Sequence, residues 1–117
     1  MGSVLELLVE AKALIEDESK WARGYYARGK NGELREPTED GATCFCSIGA
    51  LMKVLNGYDY PESLQIDRAE RVLNKCVGGN GSIIGFNDDR SNSHEDVMAV
   101  WDKAIELERS GWGLRKV

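Results

Sequence analysis

Two cysteines stand one residue apart, Cys44 and Cys46, in the run Ala42-Thr-Cys-Phe-Cys-Ser-Ile-Gly-Ala-Leu51, where a loop gives way to a helical pattern. A thiol at a helix start lies in the positive end of the backbone field, which favours thiolate and lowers its pKa below the usual value of about 8.5. His94, the single histidine, could take the Cys46 proton, and Asn87 or Asp88 could orient the imidazole. Such a set would serve a cysteine-dependent hydrolase or transferase. Two features oppose it. His94 falls in the first turn of its own helix, where the dipole disfavours imidazolium, and the orienting residue precedes the histidine. The competing reading makes Cys46 a small packed residue and His94 a surface or capping residue.

A second constellation suits binding. Trp21, Tyr25, Tyr26 and Arg28 form one group, and the Phe86-Asn87-Asp88-Asp89-Arg90 run forms another. Rings offer stacking surface and guanidinium groups hold phosphate, so Trp21, Tyr25, Arg28, Phe86 and Arg90 are candidate contacts for a small anionic or nucleotide-like ligand. Backbone donors at the start of the second helix would add to such a site. The plainer alternative puts the aromatics in the core and gives Asn87-Asp88 a turn-capping role. A Cys₃His set of Cys44, Cys46, Cys76 and His94 has the ligand number of structural zinc. Its Cys-x-Cys spacing is not the usual knuckle, and Cys76 falls on an apolar helix stripe, so no metal and no cofactor are expected.

These residues need elements to position them. Val4, Leu5, Leu7, Leu8, Ala11, Leu14 and Ile15 recur at helical spacing and predict a first helix over about Val4 to Trp21, with Ser3 and Glu6 as a capping box. Periodicity is lost from Gly24 to Thr43, where Lys30-Asn31-Gly32 suggests a hairpin or a structured loop. The second helix is expected from Ala42 or Cys46 to Asn56, stopped by Gly57, with Gly49-Ala50 as a helix-crossing point. Pro61 opens a third helix that ends at Gly78-Gly79. Ser82 to Phe86 reads as a strand or an extended plug, and Asn87-Asp88-Asp89 as a turn. Ser93 and Asp96 cap a last helix whose core face is Val97, Val100, Trp101, Ala104, Ile105 and Leu107. Gly111-Trp112-Gly113 and a basic tail follow. The expected fold is mainly α: about four helices in an irregular, non-parallel arrangement, with room for a small β-hairpin or short strands, in one compact domain spanning 1–117.

Composition bounds the function. Apolar residues make up 42% and charged residues 30% of the 117, an ordinary globular balance. A formal charge of -5, from 20 acidic and 15 basic side chains, disfavours general nucleic-acid binding, which needs a net basic face. No apolar run reaches the roughly 18 residues a bilayer demands, and no basic, apolar leader begins the chain. Free thiols in a reducing cytoplasm are therefore expected.

The order of these pieces resembles a family of small bacterial and phage proteins catalogued as a domain of unknown function. The matching elements are Trp21, Ala27-Arg28, Cys46-Ser-Ile-Gly49-Ala50-Leu51, Phe86-Asn87-Asp88, and Ser93-His94 with Val97 and Ala104-Ile105. Phe86 stands where that family usually shows Trp and Ser93 where it shows Thr; both keep the physical role. The resemblance implies a shared fold but no activity. The expectation is a ligand- or protein-binding module, by the resemblance a phage or mobile-element accessory. Its small-molecule or protein partner is unnamed and a homodimer is compatible. A cysteine-dependent hydrolase or transferase using Cys46 and His94 is the alternative.

Overall fold

The structure, a computed structural model, describes residues 3–79 and 81–111. Its first helix, α1, covers Val4–Ile15, closed at its start by the reciprocal bonds of Ser3 and Glu6. Leu7, Leu8, Ala11 and Ile15 are its fully buried face. The helix stops six residues before the expected end at Trp21. Asp17 turns back on Ser19, accepting from its N–H at 3.0 Å and its hydroxyl at 2.8 Å, and so starts a separate 3-10 turn, Glu18–Lys20. This is the ordinary competition between a short polar side chain and the helix backbone.

Three two-residue strands follow: β1 (Ala27–Arg28), β2 (Leu34–Arg35) and β3 (Cys44–Phe45). They form an antiparallel sheet in the order β2-β1-β3, with Ala27 opposite both Arg35 and Phe45. Of the two readings of this segment, hairpin or structured loop, the hairpin is the one present, and β3 is an addition that the sequence pattern did not announce. Its pairing delays α2, which runs Ser47–Leu55 with Cys46 as N-cap. Asn56, not Gly57, takes the left-handed position that ends α2 (φ 55°, ψ 39°). Asparagine tolerates that conformation because its short polar side chain bonds locally.

Helix α3 covers Glu62–Val77, after Pro61, with Ile66, Ala69, Val72 and Leu73 buried. The segment expected to be a strand or plug is instead a short helix, α4, Ile83–Asp88. Ser82 caps it through Gly85 N–H at 3.1 Å, and Asn74 of α3 takes the Ile83 N–H at 2.7 Å. Those two side-chain bonds, one local and one from α3, outweigh the strand preference of the two isoleucines, of which Ile83 is buried and Ile84 exposed. Asn87 and Asp88, expected in a turn, form the last residues of α4.

Helix α5 covers His94–Arg109, with the predicted Ser93–Asp96 capping box and with Val97, Val100, Trp101, Ala104 and Ile105 buried. The fold is mainly α. Among the described residues four long helices and the short α4 surround one apolar cluster, and the small sheet packs at its side. No helix among the described residues is long and apolar enough to cross a membrane. The Trp112-Gly113 and basic-tail portion of the sequence lies outside the described residues.

Candidate functional site

Asn87 is the centre of the candidate site, although it is almost completely buried. Its Oδ1 accepts from the Trp21 indole N–H at 2.8 Å, from the Ser47 backbone N–H at 3.1 Å and from the Ser47 hydroxyl at 2.8 Å. Its amide nitrogen donates to the Ala22 carbonyl and to Asp88 Oδ1, both at 3.0 Å. Three donors on one side and two acceptors on the other leave a single orientation for the amide. Ser47 Oγ in turn accepts from the buried Trp101 indole at 3.0 Å. A chain of satisfied polar groups thus runs from the centre of α5, through the start of α2 and the end of α4, to the loop before β1. Buried polar groups that are all paired rigidify what they join.

The same junction explains Gly49. The Cys46 N–H donates to the Tyr26 carbonyl at 3.1 Å, which brings that carbonyl against the first turn of α2. A Cβ on Gly49 would sit 1.8 Å from the Tyr26 oxygen. The small residue expected at a helix crossing is thus required by the chain entering β1.

Between these elements opens a cleft of about 320 Å³. Tyr25, Tyr26, Ile48 and Ile84 form its walls. Cys46, Ser47, Asn87 and Asp88 form its polar floor, with Gly24 at the rim. Gly24 has φ +85° and gives its N–H to Asp88 Oδ1 at 2.9 Å, so this turn holds the carboxylate in place. Both bonds to Asp88 use Oδ1; among the described residues none reaches Oδ2. Among the described residues, no lysine, arginine or histidine lines the cleft.

Four of the candidate residues, Cys46, Asn87, Asp88 and Tyr25, meet here. Tyr25 directs its hydroxyl to Glu36 at 3.0 Å, and that carboxylate raises the phenol above its ordinary pKa. Trp21 braces the floor from behind through Asn87. The others lie elsewhere. Arg28 spends its guanidinium on the Gly32 and Arg23 carbonyls within the hairpin region, Phe86 packs against the core, and Arg90 is exposed away from the cleft.

Cys46 does not have the acidity expected of a helix-start thiol. Its sulfur caps α2 by accepting the Gly49 N–H at 3.3 Å, which favours thiolate, but burial dominates and pushes the thiol up from 9.0 to about 11. The desolvation of a residue only 8% exposed outweighs the helix field. His94 is joined to another partner. Its Nε2 lies 2.7 Å from the Ile15 carbonyl, so Nε2 carries the proton, and its ring packs on Trp21 at 5.3 Å between centroids. It ties the end of α1 to the start of α5. No hydrogen bond among the described residues joins Cys46 to His94. Nor do Cys44, Cys46, Cys76 and His94 assemble: no three His, Cys, Asp or Glu side chains among the described residues gather as a metal would require.

Ser47, Ile84 and Gly24, all of which shape the cleft, were not among the residues the sequence pattern pointed to. One signal was available for Ser47. A tryptophan in the middle of a buried helix face, as Trp101 is, must find an acceptor for its indole N–H.

No curated protein and no solved structure matches this chain. A model for a family of unknown function, DUF6197, matches residues 1–107, a span that includes every element from α1 to the end of the core face of α5. The chain belongs to that family of unknown function, DUF6197.

Proposed function

We propose that this protein is a binding module whose cleft captures an apolar group bearing an N–H donor or a positive charge. The observation that carries this reading is the pairing of apolar walls with one incompletely used carboxylate. Asp88 Oδ1 is engaged by Gly24 and Asn87, while Oδ2 is left for a ligand. Asn87 and Ser47 have their polar atoms committed to each other and to the tryptophans, so they supply rigidity and not recognition. A pocket of this size with few polar groups set among apolar ones is the usual form of a small-ligand site.

The ligand class differs from the anionic one anticipated for Arg28 and Arg90. Among the described residues, a phosphate in this cleft would meet a carboxylate and no cation, which disfavours it by charge repulsion. Thiol chemistry is supported less well than binding, because a Cys46 thiol at about 11 is almost wholly protonated at neutral pH.

The test is an amide-NMR titration with two probes, tyramine (an aromatic amine) and adenosine monophosphate. Tyramine is expected to shift the Gly24, Ser47 and Asp88 resonances, and Asp88→Asn to remove those shifts. Shifts produced by the nucleotide and not by the amine would overturn the ligand class. The absence of shifts at these residues with either probe would overturn the site.

A further inference from the structure

The cleft does not end at Ile84. A second open cleft of about 230 Å³ shares Tyr26, Ile48 and Ile84 with the first. Beyond them it is lined by Tyr58 and Ile66 and by the acidic pair Asp67 and Glu70 of α3. Of the shared residues Tyr26 and Ile84 are 40% and 45% exposed, and Tyr58 beside them in the second cleft is 44% exposed, so an apolar ledge open to solvent joins the two clefts.

The charges along this groove are of one sign. Asp88 lies in the first cleft, Asp67 and Glu70 in the second, and among the described residues no lysine, arginine or histidine lines either. Among the described residues no ion pair reaches any of the three carboxylates. Glu70 is held above the ordinary carboxylate range, first by its partial burial and then by the charge of Asp67. A cation placed there would relieve the like-charge contact.

We infer that the two clefts form one groove that docks an extended, lysine-bearing segment of a partner protein. The inference rests on the cleft reading above and gives it a partner. Three features select a segment over a free small molecule. The carboxylates lie in two joined clefts, which calls for more than one cation on one ligand. The ledge between them is apolar and open, whereas small ligands are usually enclosed over 70–90% or more of their surface. Lysine stems lie well along apolar walls while their ammonium groups reach carboxylates. The formal charge of -5 would also speed the approach of a basic partner.

The test uses fluorescence anisotropy with a labelled decapeptide of alternating lysine and leucine, and a glutamate–leucine peptide as its counterpart. The lysine peptide is expected to bind, and Asp67→Asn with Glu70→Gln to weaken it at least tenfold. Asp88→Asn should weaken it as well. A control variant, Glu10→Gln with Glu95→Gln, makes the same change of charge outside both clefts and should stay within twofold of the parent. The inference fails if the lysine peptide does not bind, if the control weakens it as much as the Asp67/Glu70 pair does, or if the glutamate peptide binds equally. It fails also if spermidine displaces the peptide at matching concentration, which would assign the groove to free polycations. Loss of the groove leaves the first cleft standing if tyramine still shifts Gly24, Ser47 and Asp88. Loss of those tyramine shifts beside a charge-selective peptide would sink the cleft reading instead.

Discussion

Truncating Asn87 to alanine should destabilise this protein far more than an ordinary polar-to-alanine change. Its side chain makes five hydrogen bonds: to Trp21, twice to Ser47, to Ala22 and to Asp88. Asp88 and Trp21 are only half-buried and will find water once Asn87 is gone. Ser47 and Ala22 are buried, so the Ser47 N–H, the Ser47 hydroxyl and the Ala22 carbonyl would be orphaned. Each such group costs about 1–3 kcal/mol. Water entering from the cleft would restore part of that, which puts the loss at about 3–4 kcal/mol, near the low end of the sum. Against a total stability of roughly 5–15 kcal/mol for a domain, the variant should fold with a thin margin. Urea unfolding followed by tryptophan fluorescence measures it. With an m-value of about 1–3 kcal/mol/M, the midpoint should fall by about 1–4 M while m stays constant. A fall below about 0.3 M would refute the claim that this network holds α2, α4 and α5 together.

Other outcomes follow from the same geometry. Gly49→Ala should cost about 3 kcal/mol, the upper part of the overpacking range, because the new methyl meets the backbone oxygen of Tyr26 at 1.8 Å; unchanged melting would count against that contact. Stability should decline from about pH 9 to about pH 11, because the unfolded thiol of Cys46 releases its proton in that window while the folded one keeps it. Cys46 contributes on the order of 2 kcal/mol of that decline, and Cys46→Ala should remove its share, leaving the contributions of the same sign from Cys76 and Tyr25; an equal slope in both proteins contradicts the assignment. At pH 8 an alkylating reagent should label the half-buried Cys44 well before the buried Cys46, as read by peptide mass spectrometry. Ser93→Ala removes the oxygen that accepts the Asp96 N–H at 3.1 Å and should lower stability by about 1 kcal/mol in a thermal melt.

The long amphipathic helices were legible because their signals are local. The Ser3–Glu6 and Ser93–Asp96 boxes and the stripes of α1, α3 and α5 require only spacing within one segment. Two elements were misread for the complementary reason. Helix α4 depends on the Asn74 side chain, nine residues away from the Ile83 N–H it accepts. Strand β3 depends on pairing with β1, and a two-residue strand has no periodicity to detect. The site was legible in part. Cys46, Asn87 and Asp88 do share one cleft, but their roles are set by burial and partners that composition does not reveal. Helix-start position argues for an acidic thiol, and only the environment shows that desolvation wins. Arg28 looked like an anion ligand because its neighbours are aromatic; the fold turns it toward hairpin carbonyls.

A crystal structure grown with saturating tyramine would show whether the cleft over Asn87 takes an apolar, positively charged group on Asp88. Density is expected for the ring between Tyr25 and Ile84, with the ammonium within about 3.2 Å of Asp88 Oδ2. A cleft left empty at saturation, or an amine bound with its charge turned away from Asp88, would contradict the cleft reading.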